Sequence, residues 1–284
     1  MLNSISKNNA AILFMVALSG ALFGLLGLIG TRLIHLHFSI STMLFWRFSV
    51  AFLYLLIIGF YSSKNNFFKD TPWPYHLTAI LSGFLFYSAS SGFYFLVSKY
   101  IGTGLAMVLF FIFPVFVVLF ESIFDKFKVT PRVFLSLIMM IFGLFLITRG
   151  QTFYLNLFGI FLAISSGLAY ALFVLSSKKI SKKINSLTLT IDVCFGCALA
   201  FLCVSLFNHE LFIPKTAIDW FYIIVTGLLC TALPIQMMLF GLKRISASQV
   251  AILSVLEPVT TLVVGMLFMH ESSSILQILG VFLL

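Results

Sequence analysis

The chain of 284 residues is 61% hydrophobic and only 9% charged, with a mean hydropathy of +1.16 and a formal net charge of +9. Because a soluble domain carries about 25% charged residues, this composition excludes a soluble globular protein and makes the lipid bilayer the main solvent. In a membrane protein the positive charge is explained by the Lys and Arg of cytoplasmic loops, so we expect no nucleic-acid partner.

Ten apolar segments follow one another along the chain, and a membrane-spanning helix needs about 20 largely apolar residues. They cover residues 10–32, 40–60, 76–98, 102–121, 133–149, 156–177, 187–207, 218–241, 247–269 and 273–284. The first is too long for the apolar part of a signal peptide. The tenth has only about twelve residues, short of a span. We therefore predict an all-α integral membrane protein of ten transmembrane helices, the last of them short or truncated.

The distribution of basic residues predicts the orientation of these helices. With the N-terminus in the cytoplasm, 12 of them lie on the inner side, namely Lys7, Lys64, Lys69, Lys126, Lys128, Arg132, Lys178, Lys179, Lys182, Lys183, Lys243 and Arg244. Only 4 lie on the outer side, namely Arg32, Lys99, Arg149 and Lys215. This bias follows the positive-inside rule and predicts a multi-pass protein of the bacterial inner membrane with a cytoplasmic N-terminus.

Part of the first half of the chain recurs in the second half at an offset of 144 residues. The recurring residues are Lys99, Ile101, Pro114 and Val115, which match Lys243, Ile245, Pro258 and Val259. Five helices per half is an odd number, so the two halves must enter the membrane from opposite sides. The sequence predicts two inverted five-helix repeats, residues 1–149 and 150–284, a layout typical of alternating-access carriers.

Several segments in this order resemble the drug/metabolite transporter superfamily, EamA type. They are the small-residue stretch 19–24, residues 45–48 of the second helix, the repeat segments around Pro114 and Pro258, and residues 256–259 followed by a polar turn at His270-Glu271. The resemblance covers nearly the whole chain. It implies ten helices, a central cavity between the halves, and export or exchange of amino acids and other metabolites. In one departure, the usual Gly-Glu turn after the fourth helix reads Lys126-Phe127.

Ionisable side chains within the bilayer cost several kcal/mol and by default indicate function. Glu257 directly precedes Pro258, which removes a backbone hydrogen bond and is expected to leave the Ser254 carbonyl free. Glu257 is a candidate ligand for a substrate amine, or a carboxyl group that gains and loses a coupling proton. The alternative is a buried acid paired with a neighbour to fix helix packing.

Two other ionisable residues lie within predicted spans. Arg47 lies about 10 Å into the second helix, where its guanidinium can bind a substrate carboxylate or phosphate. A long side chain at this depth also reaches the membrane interface or the carbonyls at a helix end, and we favour these structural placements. Asp192 lies near the cytoplasmic end of the seventh helix, and we interpret it as structural or interfacial.

Polar and aromatic residues provide further candidates for a cavity lined by helices one, three, four, six, eight and nine. Tyr87, Tyr94 and Gln236 are assigned to the cavity, and Trp46 and Tyr170 either to its aromatic wall or to the lipid-facing surface. Ser90 and Ser91 are interpreted as packing residues, since small side chains let membrane helices approach closely. The matching prolines Pro114 and Pro258 are the predicted hinge points.

Motifs of enzymes are missing from the sequence. It contains no Gly-rich phosphate loop, no H-E-x-x-H motif and no polar His-Asp-Ser grouping. The five histidines, His35, His37, His76, His209 and His270, are interpreted as residues of loops and helix ends. We therefore expect neither an enzyme nor a cofactor or metal site, and transport powered by an ion gradient, by exchange or by the substrate's own gradient.

The sequence favours a secondary transporter that exports a small polar metabolite, such as an amino acid, by alternating access. The substrate, coupling ion and oligomeric state are left open. An exchanger or importer of a host metabolite is an alternative, because Phe-rich membrane proteins are typical of AT-rich intracellular bacteria. A membrane-embedded enzyme or a scaffold subunit would require ionisable residues clustered at one membrane face or a polar stripe along one helix, and neither pattern is present.

Overall fold

The computed structural model describes residues 7–36, 38–62, 71–125, 127–148, 155–269 and 274–284. Within these ranges all regular secondary structure is helical. In chain order the helices are α1 Lys7–His35, α2 Ile40–Ser62, α3 Trp73–Ile101, α4 Thr103–Phe124, α5 Pro131–Ile147, α6 Leu157–Ser181, α7 Ser186–Phe207, α8 Ala217–Leu242, α9 Ala247–Leu253 with Leu256–Met269, and α10 Ile275–Leu283.

Eight helices of the described ranges are long and apolar enough to cross a membrane, namely all except α5 and α10. Helix α5 is apolar but has 17 residues, and α10 has 9. Each of the ten predicted segments coincides with one helix, with ends that differ by a few residues. The prediction of an all-α membrane protein is confirmed. An apolar run lies in lipid, where the backbone N–H and C=O groups have no water to bind, so they must bond to each other within one helix.

The helices pack into two groups, and each group takes helices from both halves of the chain. We call α1, α2, α8 and α9 the first bundle, and α3, α4, α6 and α7 the second bundle. The two bundles are joined along α2 and α7, which pack against each other extensively, while α5 packs on α10. The space between the bundles is therefore bordered by both halves of the sequence.

Irregular backbone occurs at matching places in the two halves. Helix α3 contains a π-helical turn at Ser82–Tyr87, and α8 contains one at Leu228–Ala232. Helix α4 is interrupted between Phe110 and Phe113, and α9 between Leu253 and Leu256. Discontinuous helices often form the binding sites of secondary transporters. These paired interruptions support the proposed division into repeats 1–149 and 150–284.

Two glycines allow α3 and α7 to cross in backbone contact. A Cβ atom on Gly196 would lie 2.1 Å from the carbonyl oxygen of Ile80, and one on Gly83 would lie 2.3 Å from the carbonyl oxygen of Val193. Real Cβ atoms do not approach backbone this closely, so a side chain at either position would force the helices apart. Small residues thus determine the distance between α3 and α7.

The Gly196→Ala substitution is expected to lower the free energy of unfolding by about 1–3 kcal/mol, the usual cost of overpacking. Gly30→Ala is a matched control, because a Cβ there would meet the nearest atom, in the Phe95 ring, at an ordinary 3.6 Å. Alanine favours helix by about 1 kcal/mol over glycine, so the control should be neutral or stabilising. Thermal unfolding in detergent micelles measures both, and equal effects of the two substitutions would refute the close contact.

Candidate functional site

A small cavity of about 40 Å³ lies between the two bundles. Its lining residues are Phe23, Leu26, Arg47, Tyr87, Ser90, Ser91, Tyr94, Phe95, Phe110, Tyr170 and Glu257. They come from α1, α2, α3, α4, α6 and α9. The expectation that helix eight lines the cavity is wrong, because α2 takes its place through Arg47. The interrupted parts of α4 and α9 both reach the cavity, through Phe110 and Glu257.

Arg47 is only 2% exposed, so the interfacial placement favoured for it is wrong. Helix α2 packs against α7 and α8 at this level, which closes the route of the side chain to the membrane surface. The Arg47 Nε donates a hydrogen bond of 2.5 Å to the Thr231 hydroxyl of α8. Thr231 in turn donates to the carbonyl of Thr226 at 2.9 Å, five residues earlier along the π-helical turn. The π turn of α8 therefore positions the partner of the guanidinium.

Glu257 lies at the start of the second segment of α9, against α1. A Cβ on Gly24 would lie 2.5 Å from the Glu257 carbonyl oxygen, so glycine is needed for this close approach. The Thr261 hydroxyl donates to the carbonyls of Glu257 at 3.0 Å and Gly24 at 3.1 Å. The expectation of a free Ser254 carbonyl is wrong, because the Glu257 N–H donates to it at 3.0 Å. The backbone that carries the carboxyl group is therefore well fixed.

The two charged groups of the cavity do not pair directly. Arg47 and Glu257 line the same small space, yet no nitrogen of the guanidinium lies within 4.0 Å of a carboxylate oxygen of Glu257. A buried charge without a partner costs several kcal/mol. The cavity therefore presents guanidinium hydrogen-bond donors on one side and carboxyl oxygens on the other.

Aromatic side chains form the remaining wall. The Tyr87 and Tyr170 ring centroids lie 5.8 Å apart, and the Tyr94 ring lies 5.0 Å from that of Phe110. The Tyr170 hydroxyl is 3.3 Å from the Met238 sulfur. The structure thus brings Tyr87, Tyr94 and Tyr170 into one cavity with the two charged residues. Their rings offer faces that attract a cation.

Trp46 and Gln236 are not among the residues that line the cavity. This differs from the cavity assignment of Gln236, whereas for Trp46 the sequence left both the cavity wall and the lipid-facing surface open. The Trp46 Nε1 donates to the Phe212 carbonyl at 3.0 Å, and its ring packs edge-on against Trp220 at 5.2 Å. The Gln236 side-chain oxygen accepts a 2.6 Å hydrogen bond from Thr190 and so links α8 to α7. Both residues therefore have structural partners on other faces of their helices.

His76 lies in the first turn of α3, at a helix end as expected, and its side chain is buried. It is 5% exposed, and its Nδ1 lies 2.8 Å from a carboxylate oxygen of Asp192, which is also 5% exposed. This contact joins the start of α3 to α7 and fits the structural interpretation of Asp192. His37 and His270 lie outside the described residues.

Ser90 and Ser91 line the cavity, whereas the sequence predicts packing residues at both positions. The Ser90 carbonyl accepts a 2.8 Å hydrogen bond from Ser166 of α6, so Ser90 serves packing as well. Tyr87, Ser90, Ser91 and Tyr94 are spaced i, i+3, i+4 and i+7, which places them on one helix face. The sequence therefore contains a pattern from which both serines can be grouped with the two cavity tyrosines. Thr231 carried no such signal, because its contact with Arg47 depends on the π turn.

Known proteins resemble the chain over most of its length. An uncharacterized transporter of Archaeoglobus fulgidus is 27% identical over 234 residues, which cover 82% of each chain. The threonine/homoserine exporter RhtA of Escherichia coli is 26% identical over 243 residues, 80% of this chain and 73% of that protein. A protein of known crystal structure, 17% identical, matches with a TM-score of 0.79 over 98% of this chain and 94% of the other, which shows a shared fold.

Residues 10–149 and 157–284 both match the model of the EamA-like transporter family. The two matches together cover most of the chain, and transporter-named relatives agree with them. These findings indicate a transporter rather than an enzyme. The chain therefore belongs to the EamA-like transporter family.

Proposed function

We propose that this protein is a secondary carrier for a small amino acid or a related zwitterionic metabolite, and that the central cavity is its binding site. One observation carries the proposal, namely that Arg47 and Glu257 face the same buried cavity without contacting each other. An amino acid has a carboxylate and an ammonium group within a few bonds of each other. It can therefore compensate both charges at once through charge-assisted hydrogen bonds.

Each charged residue has a distinct role in this proposal. The Arg47 Nε donates its hydrogen bond to Thr231. The terminal nitrogens of the guanidinium provide the donors for a substrate carboxylate. Glu257 accepts hydrogen bonds from the ammonium group, and the faces of Tyr87 and Tyr94 add cation–π attraction. Sugars and uncharged metabolites have neither a carboxylate for Arg47 nor an ammonium group for Glu257.

Transport requires the cavity to open toward each side of the membrane in turn. At about 40 Å³ the cavity has room for only a few water molecules, since one water needs about 10–15 Å³ of accessible volume. Substrate entry therefore requires the two bundles to move apart. Pro114 and Pro258 each lie in the first turn of the second segment of an interrupted helix, and we assign them as the flexible points.

Proton exchange at Glu257 provides the coupling in this proposal. When the substrate leaves, its ammonium no longer compensates the carboxylate, and a proton can neutralise the group instead. The carrier then returns with a proton in place of the substrate. Export is the proposed direction, because the RhtA relatives are named exporters. The excess of basic residues on one side supports an inner-membrane protein with a cytoplasmic N-terminus.

Counterflow in proteoliposomes tests this function. Vesicles preloaded with threonine or homoserine should take up labelled threonine faster than empty vesicles or vesicles without protein. A pH gradient should change the extent of accumulation. N-acetylthreonine and threonine methyl ester, which each lack one of the two charges, serve as controls and should not exchange. If no member of a panel of amino acids accelerates the uptake of labelled substrate, the proposed substrate class is wrong.

A further inference from the structure

A buried carboxylate outside the cavity joins the two bundles at one end. Glu121, near the end of α4, is 5% exposed. It accepts hydrogen bonds from the backbone N–H groups of Ala247 at 3.0 Å and Ser248 at 2.9 Å, and from the Ser248 hydroxyl. Helix α4 belongs to the second bundle and α9 to the first. Three donors from one bundle thus converge on a single charged group of the other.

A lysine of the second bundle also binds the turn between α8 and α9. The Lys178 ammonium, near the end of α6, donates to the carbonyls of Leu242 and Ile245, each at 2.6 Å. These carbonyls belong to the last residue of α8 and to the turn that leads into α9. The α8–α9 turn is therefore held between Glu121 and Lys178, both of which belong to the second bundle.

The opposite end of the molecule has a surface cleft. There a cleft of about 400 Å³ separates the start of α2, in the first bundle, from α3 and α7 in the second. Ser39, Gly92 and Asn208 are among its lining residues. This cleft shares none of its lining residues with the central cavity, and beside it Ser41 and Thr42 of α2 donate hydrogen bonds to Glu210. The α8–α9 end differs in that its contacts converge on one buried carboxylate, Glu121.

We propose that Glu121 and Lys178 form a latch that closes the α8–α9 end, and that the carrier opens toward this end by breaking these hydrogen bonds. The inference rests on the alternating-access mechanism proposed above. Glu121 does not touch substrate; it positions α9, the helix that carries Glu257, against α4. The distribution of basic residues makes this end the cytoplasmic one.

Sided cysteine labelling tests the latch. A single cysteine is introduced at the cavity residue Ser91 after the four native cysteines are replaced, and a membrane-impermeant maleimide is added from either side of oriented vesicles. Glu121→Gln should raise the labelling rate from the α8–α9 end by about five- to thirtyfold, the effect of losing one or two hydrogen bonds on an open–closed equilibrium. Ser248→Ala, which removes one donor, should produce a smaller rise.

Arg132→Gln is the control, because Arg132 is an exposed charged residue at the same end of the molecule, at the start of α5. It should leave labelling unchanged. An equal rise in this control, or unchanged labelling in a folded Glu121→Gln protein, would overturn the latch. If Glu121→Gln does not fold, Ser248→Ala and Lys178→Gln decide the outcome in the same way. Labelling needs no substrate, so a shift in accessibility without amino-acid binding would support the latch and reject the proposed substrate.

Discussion

Replacing Glu257 by Gln is expected to weaken amino-acid binding by roughly 10- to 100-fold and to abolish accumulation driven by a pH gradient. A hydrogen bond to a charged group contributes about 1.5–3 kcal/mol, and each 1.4 kcal/mol is about tenfold in affinity. Glutamine keeps the shape of the side chain but cannot balance an ammonium charge or exchange a proton. The backbone contacts of this position with Gly24 and Ser254 do not depend on the carboxylate, so the protein should still fold.

Glu210→Gln provides the control for this substitution. Glu210 is an exposed carboxylate that accepts a hydrogen bond of 2.5 Å from Ser41 outside the cavity, and its loss should leave binding and transport unchanged. Counterflow, uptake with a pH gradient and size-exclusion profiles are measured for both variants. Wild-type transport by Glu257→Gln would remove this residue from the mechanism.

Replacing Arg47 by Gln is expected to weaken amino-acid binding by about 100-fold, because it removes the cation that holds the substrate carboxylate. Arg47→Lys keeps the charge but not the planar pair of donors, so binding should fall between that of wild type and that of Arg47→Gln. Arg47 is buried, so each variant is first tested for folding by thermal unfolding. Binding is then measured by isothermal titration in detergent.

Thr231→Val separates the role of Arg47 in binding from its role in packing. Valine has nearly the shape of threonine but cannot accept the hydrogen bond from the Arg47 Nε. The guanidinium remains in the cavity, so binding should fall only about fivefold, the effect of about 1 kcal/mol. If Thr231→Val weakens binding as much as Arg47→Gln does, the exact position of the guanidinium matters more than its charge.

For Arg47 itself, an unchanged affinity in a folded Arg47→Gln protein would exclude this residue from the site.

The sequence was sufficient to predict the membrane fold, because hydropathy alone locates helices in lipid. It was less informative about which face of each helix points inward. Arg47 was placed at the interface from its depth along α2, but depth carries no information about the face, and that face packs against α8. The same lack of facing information explains why the sequence predicts Gln236 in the cavity and leaves Trp46 undecided between the cavity wall and lipid.

Irregular backbone was the other feature that the sequence did not reveal. A π-helical turn shifts the phase of the residues that follow it, so regular helical spacing fails beyond it. Thr231 reaches Arg47 through such a turn. Glu121 was not singled out, because its partners Ala247 and Ser248 lie 126 and 127 residues away along the chain and only the tertiary fold brings them together.

The proposed division of roles between Arg47 and Glu257 is tested most directly by binding of threonine, threonine methyl ester and N-acetylthreonine to wild type and to the two variants. Wild type should bind threonine at least tenfold more tightly than either derivative. Arg47→Gln should no longer distinguish threonine from its ester, and Glu257→Gln should no longer distinguish threonine from N-acetylthreonine. Equal binding of all three compounds by wild type, or unchanged discrimination in both variants, would contradict a cavity that holds the two charged ends of one substrate.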